Sequence, residues 1–254
     1  MKTGIKKLFF EGNILVVLAF RIFLIMFLLM LSRIGFLVFN ASMFPGLSAH
    51  DFIDIMRGGI VFDLAAVVYF NALIIILHII PSDIRYKALW QQICKYLFFI
   101  FNGLALAVNG ADYVYFRFLN KRATADIFGT FENEEGLAKM FFRFLFDYWP
   151  ATLYTLFLMA LMVLLYRLAK PEKPQTRNRF IRFSLNLAAV PLILALAVGA
   201  ARGGFKHSTR PITISNAARY VDDPRLVPVV LNTPFSIVRT FGMKELERYQ
   251  FFGE

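Results

Sequence analysis

The sequence predicts an all-α membrane protein with five transmembrane helices and interfacial helices on the outer face of the bundle. Hydrophobic residues make up 58% of the 254 residues, whereas soluble domains contain about 45–50%. The 30 phenylalanines would be difficult to bury in a soluble fold of this size, but lipid accommodates them. The apolar residues also fall into long runs that are separated by short basic segments, which is typical of a polytopic membrane protein.

A helix that crosses the bilayer needs about 20 predominantly apolar residues. Five stretches meet this requirement: residues 14–39, 58–80, 93–114, 148–166 and 183–201. The fifth contains Pro191, which neighbouring helices can accommodate in a membrane bundle. The chain is therefore divided into a transmembrane domain, residues 1–202, and an extracytoplasmic linker with short helices, residues 203–254.

The orientation follows from the distribution of Lys and Arg. The N-terminus carries Lys2, Lys6 and Lys7, and the apolar stretch that follows is too long for a cleaved signal peptide. The second and fourth connections are also rich in Lys and Arg. The positive-inside rule then predicts an uncleaved first helix, a cytoplasmic N-terminus and an extracytoplasmic C-terminus.

Several other classes of site are not supported by the sequence. The net charge of +11 would suit nucleic acid, but the basic residues lie between apolar runs as the topology requires, so no nucleic-acid partner is expected. The single cysteine, Cys94, excludes an internal disulfide and a cysteine-based metal site. His50, His78 and His207 are widely spaced. No metal, cofactor or catalytic residue is therefore predicted within this chain.

Two segments outside the spans have helical character. Residues 137–149 combine aromatic residues with charges at four-residue steps, which favours either an interfacial helix or an outward extension of the fourth span. In the linker, Thr233 and Pro234 are typical of a helix start and Gly242 of a helix stop. This short helix is expected to rest on the membrane.

Charged residues inside the spans are costly in lipid and usually have a partner or a function. Arg33 and Asp63 lie on the same side of the midplane, each about 9 Å from it. Because consecutive helices tend to be neighbours, we predict an Arg33–Asp63 ion pair. A structural role is favoured, and the alternative is that one of the two faces a lipid groove. Asp112 is assigned with them to an intramembrane polar framework, whereas Arg21 is expected to snorkel and receives no function.

A basic rim is predicted at the outer face, where Arg122 follows the third span and Arg202 and Arg210 follow the fifth. Arginine forks suit phosphate, so one interpretation is a site for an anionic lipid headgroup. Ordinary interfacial anchoring explains the same residues and is kept as the alternative.

Six segments of the sequence have an order and spacing that together are more informative than any one of them. They are Gly58-Gly59-Ile60-Val61-Phe62-Asp63-Leu64; Asn109-x-x-Asp112-x-x-Tyr115-Phe116-x-Phe118 with Arg122, Thr124, Asp126 and Phe128; Arg202-Gly203-Gly204; Arg210-Pro211-Ile212; Asn216-Ala217; and Leu231-Asn232-Thr233-Pro234-Phe235. This combination resembles the membrane part of the lipoteichoic-acid-synthase-like family of phosphoglycerol transferases, which have a sulfatase fold and belong to the alkaline phosphatase superfamily. The resemblance covers nearly the whole chain.

The resemblance implies a membrane anchor followed by a large extracytoplasmic domain, in which a threonine nucleophile and a divalent metal, often manganese, transfer a glycerophosphate or related headgroup. The catalytic segments of that family do not occur in this sequence, so the chain is expected to be a fragment or truncated product that does not catalyse phosphoryl transfer alone. Its expected role is to hold the catalytic domain outside a bacterial cytoplasmic membrane and to orient an anionic phospholipid through Arg122, Arg202 and Arg210.

Two alternative functions stay open at this point. One is a small transporter or channel that uses Arg33, Asp63 and Asp112 as a polar pathway, although the helices show no inverted repeat. The other is a noncatalytic membrane scaffold.

Overall fold

Five helices in the structure are long and apolar enough to cross a membrane, which confirms the predicted all-α membrane class. The computed structural model describes residues 10–127, 145–173, 179–206 and 210–242. Its long helices are α1 (Ile14–Phe39), α2 (Ala49–Ile79), α3 (Ala88–Leu119), α4 (Trp149–Tyr166) and α5 (Arg179–Arg202). Each predicted span corresponds to one of these helices.

Local signals mark the starts of α1 and α2 and the end of α3. The Asn13 side chain accepts a hydrogen bond from the backbone N–H of Leu15 at the start of α1. α2 begins about two and a half turns before the predicted span, because Ser48 and Asp51 form a capping box ahead of the apolar run. α3 ends at Asn120, which adopts a left-handed conformation with φ of 51°.

Helices α1, α2 and α3 contact one another and form the centre of the bundle. α4 packs against α1 and α3, and α5 packs against α2. Only 11% of the span in α5 is buried, so the described residues leave most of this span uncovered. A two-stranded parallel sheet, β1 (Phe10–Gly12) with β2 (Ala169–Pro171), lies where α1 begins and α4 ends. We call this side the N-terminal end of the bundle.

The opposite side is the tail end, where the tail segment, residues 210–242, packs. The segment contains two 3-10 turns, Ile214–Arg219 and Pro224–Leu226, and the helices α6 (Val227–Val230) and α7 (Thr233–Thr240). Buried residues of this segment share one apolar cluster with α1, α2 and α3, while a second cluster fills the rest of the bundle towards the N-terminal end.

The predicted linker helix is present as α7, but its start and surroundings differ from the expectation. Asn232 caps the helix, since its side chain accepts a hydrogen bond from Phe235 N at 2.8 Å. Phe235 is fully buried against the ring of Phe62, with ring centroids 5.0 Å apart. The helix therefore packs into the end of the bundle, whereas Phe241 at its end stays exposed. The predicted segment 137–149 lies mostly outside the described residues.

Candidate functional site

The predicted ion pair between Arg33 of α1 and Asp63 of α2 is present and deeply buried. Nη1 of Arg33 lies 2.6 Å from Oδ2 of Asp63, and Nη2 lies 2.6 Å from Oδ1. Each side chain is 1% exposed. The two parallel hydrogen bonds form the bidentate geometry in which a guanidinium and a carboxylate interact most strongly.

Two glycines of α2 create the space for this arrangement. A Cβ atom on Gly59 would collide with the guanidinium of Arg33. A Cβ atom on Gly58 would lie 2.7 Å from Cβ of Tyr220 in the tail segment. The Gly58-Gly59 pair thus lets the arginine on one side and the tail segment on the other approach the backbone of α2.

The Arg33–Asp63 pair also binds the tail segment. Nε of Arg33 donates to the carbonyl of Val229 at 3.0 Å, and Nη2 donates to the carbonyl of Val230 at 3.1 Å. Oδ1 of Asp63 accepts a hydrogen bond from Nδ2 of Asn232 at 2.7 Å. One buried ion pair therefore connects α1, α2 and the start of α7.

A second buried ion pair joins Asp112 of α3 to Arg122, which follows that helix. Nη1 of Arg122 lies 2.8 Å from Oδ2 of Asp112, and Oδ1 of Asp112 accepts from Ala123 N at 2.9 Å. The guanidinium of Arg122 stacks on the ring of Phe36, 3.6 Å from its centroid. Desolvation lowers the pKa of the Arg122 guanidinium, and the Asp112 carboxylate opposes that shift.

This second pair binds the same stretch of the tail segment. Nε of Arg122 donates to the carbonyl of Pro228 at 2.7 Å, and Nη2 donates to the carbonyl of Leu231 at 2.9 Å. The hydroxyl of Thr233 donates to Oδ2 of Asp112 at 2.8 Å. Residues 228–231 thus present four consecutive carbonyls, the outer two held by Arg122 and the inner two by Arg33.

The three arginines that were predicted at the rim have different surroundings. Arg122 is 6% exposed, and its three guanidinium nitrogens all donate to protein atoms, so the structure places it with the framework residues instead of at a lipid-facing rim. Arg202 ends α5 and is half-buried, and its carbonyl accepts from Ile212 N at 3.2 Å. Arg210 is exposed at the start of the tail segment.

Sequence reasoning missed several buried polar contacts. Arg21 was expected to snorkel, but it is 3% exposed and hydrogen-bonds His78 at 2.7 Å. Near the middle of the bundle, the amides of Asn71 and Asn102 form two reciprocal hydrogen bonds of 2.9 and 2.8 Å. A signal was available on α2, where Asp63, Asn71 and His78 recur every seven to eight residues and therefore share one helix face.

These features define the class of protein: a multi-pass helical membrane domain whose tail segment is bound to one end of the bundle by two buried ion pairs. Among the described residues, no group of three or more His, Cys, Asp or Glu side chains could hold a metal ion. Comparisons with protein-family models, curated proteins and solved structures gave no match.

Replacement of Gly59 by alanine tests the close approach that the first ion pair requires. We expect Gly59→Ala to lower the free energy of unfolding by about 1–3 kcal/mol, because the new methyl group displaces Arg33 from Asp63. Denaturant unfolding in mixed micelles, followed by helical circular dichroism, measures the change. Gly103→Ala is the matched control, since its Cβ would find only Met162 Cε, at 4.0 Å. Equal destabilisation by both variants would contradict the packing argument.

Proposed function

We propose that this chain is the membrane-anchoring domain of a sulfatase-fold transferase that moves phosphoglycerol or a related headgroup at the bacterial cell envelope. The observation that carries the anchoring part is the binding of four consecutive tail carbonyls by Arg33 and Arg122. The transferase part rests on the resemblance of the six sequence segments. The cytoplasmic N-terminus rests on the positive-inside rule.

The contacts at the tail end suit an anchor that fixes the position and the orientation of the following segment relative to the bundle. A simple tether needs only a hydrophobic span, whereas here each arginine that binds the tail is itself neutralised by a carboxylate. Hydrogen bonds of this kind are stronger in a water-poor environment, and breaking them would leave buried charges and carbonyls without partners. We infer that the tail segment stays docked, so that whatever follows residue 242 starts from a fixed point on the bundle.

Engagement of a lipid donor is the second part of the proposal. Arg202 and Arg210 lie at the tail end, and the Ile212 N–H to Arg202 carbonyl hydrogen bond brings the start of the tail segment back to α5. Two arginines on one rim suit the phosphate of an anionic phospholipid. In this arrangement Arg122 supports the tail segment and does not contact the donor.

The transferase proposal is tested by reading the gene beyond the codon for Glu254. An open frame of several hundred codons that encodes a threonine nucleophile with Asp and His metal ligands would support it. A stop codon at that position would contradict it and favour a membrane scaffold.

The lipid proposal is tested in the protein that carries the catalytic domain. We expect Arg202→Ala and Arg210→Ala each to lower turnover of an anionic lipid donor about five-fold, because a charge contact at the protein surface contributes up to about 1 kcal/mol. Turnover is measured with a labelled lipid in vesicles, and membrane insertion is checked by immunoblot. Arg57→Ala is the control, since Arg57 is exposed near the start of α2 at the same end. Unchanged turnover in both variants would rule out this role.

A transporter is less well supported by the geometry. Arg33, Asp63 and Asp112, the residues that a polar pathway would use, are engaged with one another, with Arg122 and with the tail segment. Ion or solute flux in proteoliposomes that contain this chain would favour transport over anchoring.

A further inference from the structure

Four arginines are buried in the part of the chain that the structure describes, and they fall into two contrasting pairs. Arg33 and Arg122, at the tail end, each face a carboxylate. Arg21 and Arg85, towards the N-terminal end, are only 3% and 1% exposed, and neither forms an ion pair with a described residue. Both of the latter contact His78 near the end of α2.

His78 contributes no negative charge to this group. Nη1 of Arg21 lies 2.7 Å from Nε2 of His78, and a guanidinium can only donate, so Nε2 is the acceptor. Nδ1 of His78 lies 2.8 Å from the carbonyl of Ile74 and must carry the ring proton. The imidazole is therefore neutral, and the remaining face of Arg21 rests on the ring of Tyr166 at 4.3 Å.

The hydrogen-bonding capacity of Arg85 is mostly unused within the described residues. Nη1 donates to the carbonyl of His78 at 3.0 Å, which satisfies one carbonyl at the end of α2. Nε and Nη2 are buried and have no hydrogen-bond partner there, and the same is true of Nε of Arg21 and the hydroxyl of Tyr166. Asp83, the carboxylate nearest to Arg85 in sequence, forms an ion pair of 3.0 Å with Lys173.

If Arg21 and Arg85 had only a structural role, burial of their two uncompensated charges would destabilise the fold. Burial of a guanidinium without a counter-charge is strongly unfavourable, because the charge loses its hydration and gains no ionic partner. The carboxyl end of α2 supplies only about half a negative charge, against two positive charges. The other two buried arginines show how a purely structural arginine is compensated in this protein, each by a carboxylate and by two carbonyls of the tail segment.

We propose that Arg21 and Arg85, which both contact His78, form a binding site for an oxyanion of the phosphate class at the N-terminal end of the bundle. Nε and Nη2 share one edge of the Arg85 guanidinium, and this edge binds two oxygens of a phosphate side by side. Nε of Arg21 and the hydroxyl of Tyr166, on which Arg21 stacks, are two further buried donors at this end that have no partner among the described residues. The anion is either the phosphate of a phospholipid in the adjacent leaflet or free inorganic phosphate.

The test uses the full chain, purified in a phosphate-free maltoside detergent and stripped of lipid. Inorganic phosphate is titrated at constant ionic strength against chloride, and dilute phosphatidylglycerol is titrated against diacylglycerol, which lacks a phosphate. We expect one probe to raise the thermal unfolding midpoint by about 5 °C or more at about 100-fold excess over its Kd. Native mass spectrometry is expected to show one bound anion or one retained lipid.

Arg85→Lys keeps the positive charge but lacks the two-nitrogen edge, so we expect about a ten-fold or greater loss of affinity for the probe that binds. Arg21→Lys is a second variant in case Arg85→Lys does not fold. Arg57→Lys, at the other end of the bundle, should bind as the unmodified chain does. Stabilisation by inorganic phosphate identifies the free anion as the ligand, and stabilisation by phosphatidylglycerol alone identifies the headgroup. The proposal would be overturned if neither probe stabilised the protein, or if Arg85→Lys and Arg21→Lys bound the probe as tightly as the unmodified chain does.

Discussion

Asp63→Asn is expected to release the tail segment from the bundle and to lower the free energy of unfolding by about 3–5 kcal/mol. The substitution preserves the size of the side chain but removes the counter-charge of the Arg33 guanidinium. Arg33 is only 2% exposed, so water cannot replace the lost carboxylate. It also places an amide NH₂ where a carboxylate oxygen accepted a hydrogen bond. Since Asp63 also accepts from Asn232, the cap of α7 loses its support in the same step.

Hydrogen exchange is the direct measurement for this variant. The amides of Phe235 and Ser236 bond to Asn232, so we expect both to exchange faster in Asp63→Asn while amides in the middle of α4 do not change. Asp54→Asn is the matched control on the same helix, because Asp54 interacts only with the exposed side chains of His50 and Arg57 among the contacts described. Its effect should stay within about 0.5 kcal/mol. Unchanged protection of Phe235 in Asp63→Asn would show that the ion pair does not hold the tail segment.

Removal of both charges distinguishes two effects of Asp63→Asn: the cost of a buried unpaired charge and the loss of tail docking. In the double variant Arg33→Leu with Asp63→Leu, no uncompensated charge is left in the bundle, so much of the unfolding free energy should return. The carbonyls of Val229 and Val230 would lose their donor, Arg33, so rapid exchange of the Phe235 amide should persist. A variant that recovered both properties would indicate that the apolar contacts of Phe235 alone are sufficient for docking.

The features that could be predicted are those set by the positions of apolar and charged residues along the sequence. The five spans follow from the length of the apolar runs, and the Arg33–Asp63 pair follows from matching depths in consecutive helices. The start of α2 was placed too late, because the capping box at Ser48 lies in a polar stretch that a search for apolar residues passes over.

The role of Arg122 could not be predicted in the same way. Two of its partners are the backbone carbonyls of Pro228 and Leu231, more than 100 residues later in the chain. Every residue has a backbone carbonyl, so the residue types do not indicate which carbonyl accepts a hydrogen bond from Arg122. Only the fold shows this. Arg21 and Arg85 were missed for a related reason, because a search for opposite charges does not detect a neutral histidine between two arginines.

The second large effect is expected for Asp112→Asn, which should also lower the free energy of unfolding by about 3–5 kcal/mol. The two oxygens of Asp112 accept from Arg122, Thr233 and the backbone N–H of Ala123. An asparagine has one oxygen, and its amide nitrogen would have to face either Ala123 N or the pair of Arg122 and Thr233, all of which are donors there. Either orientation leaves a buried donor without an acceptor.

Thr233→Val provides a graded comparison for this variant. It removes one hydroxyl donor to the Asp112 carboxylate and keeps the charge pair with Arg122, so the expected loss is about 1.5–3 kcal/mol. Denaturant unfolding of both single variants and of the double variant gives their coupling energy. Because the two side chains share a hydrogen bond, the double variant should be less destabilised than the sum of the single ones. Strict additivity would contradict the direct contact.

Asp63→Asn and Asp112→Asn are distinguished by the amide that each one releases. The Ala123 amide bonds only to Asp112 in the described contacts, so it should exchange faster in Asp112→Asn and stay protected in Asp63→Asn. The amide of Phe235 should respond in both, because the two ion pairs hold adjacent carbonyls of residues 228–231. In the variant that carries both changes, the second substitution should cost less than it does alone, since the tail segment is already released. Full additivity would mean that the two pairs act on the bundle separately and that the tail segment is not held as one unit.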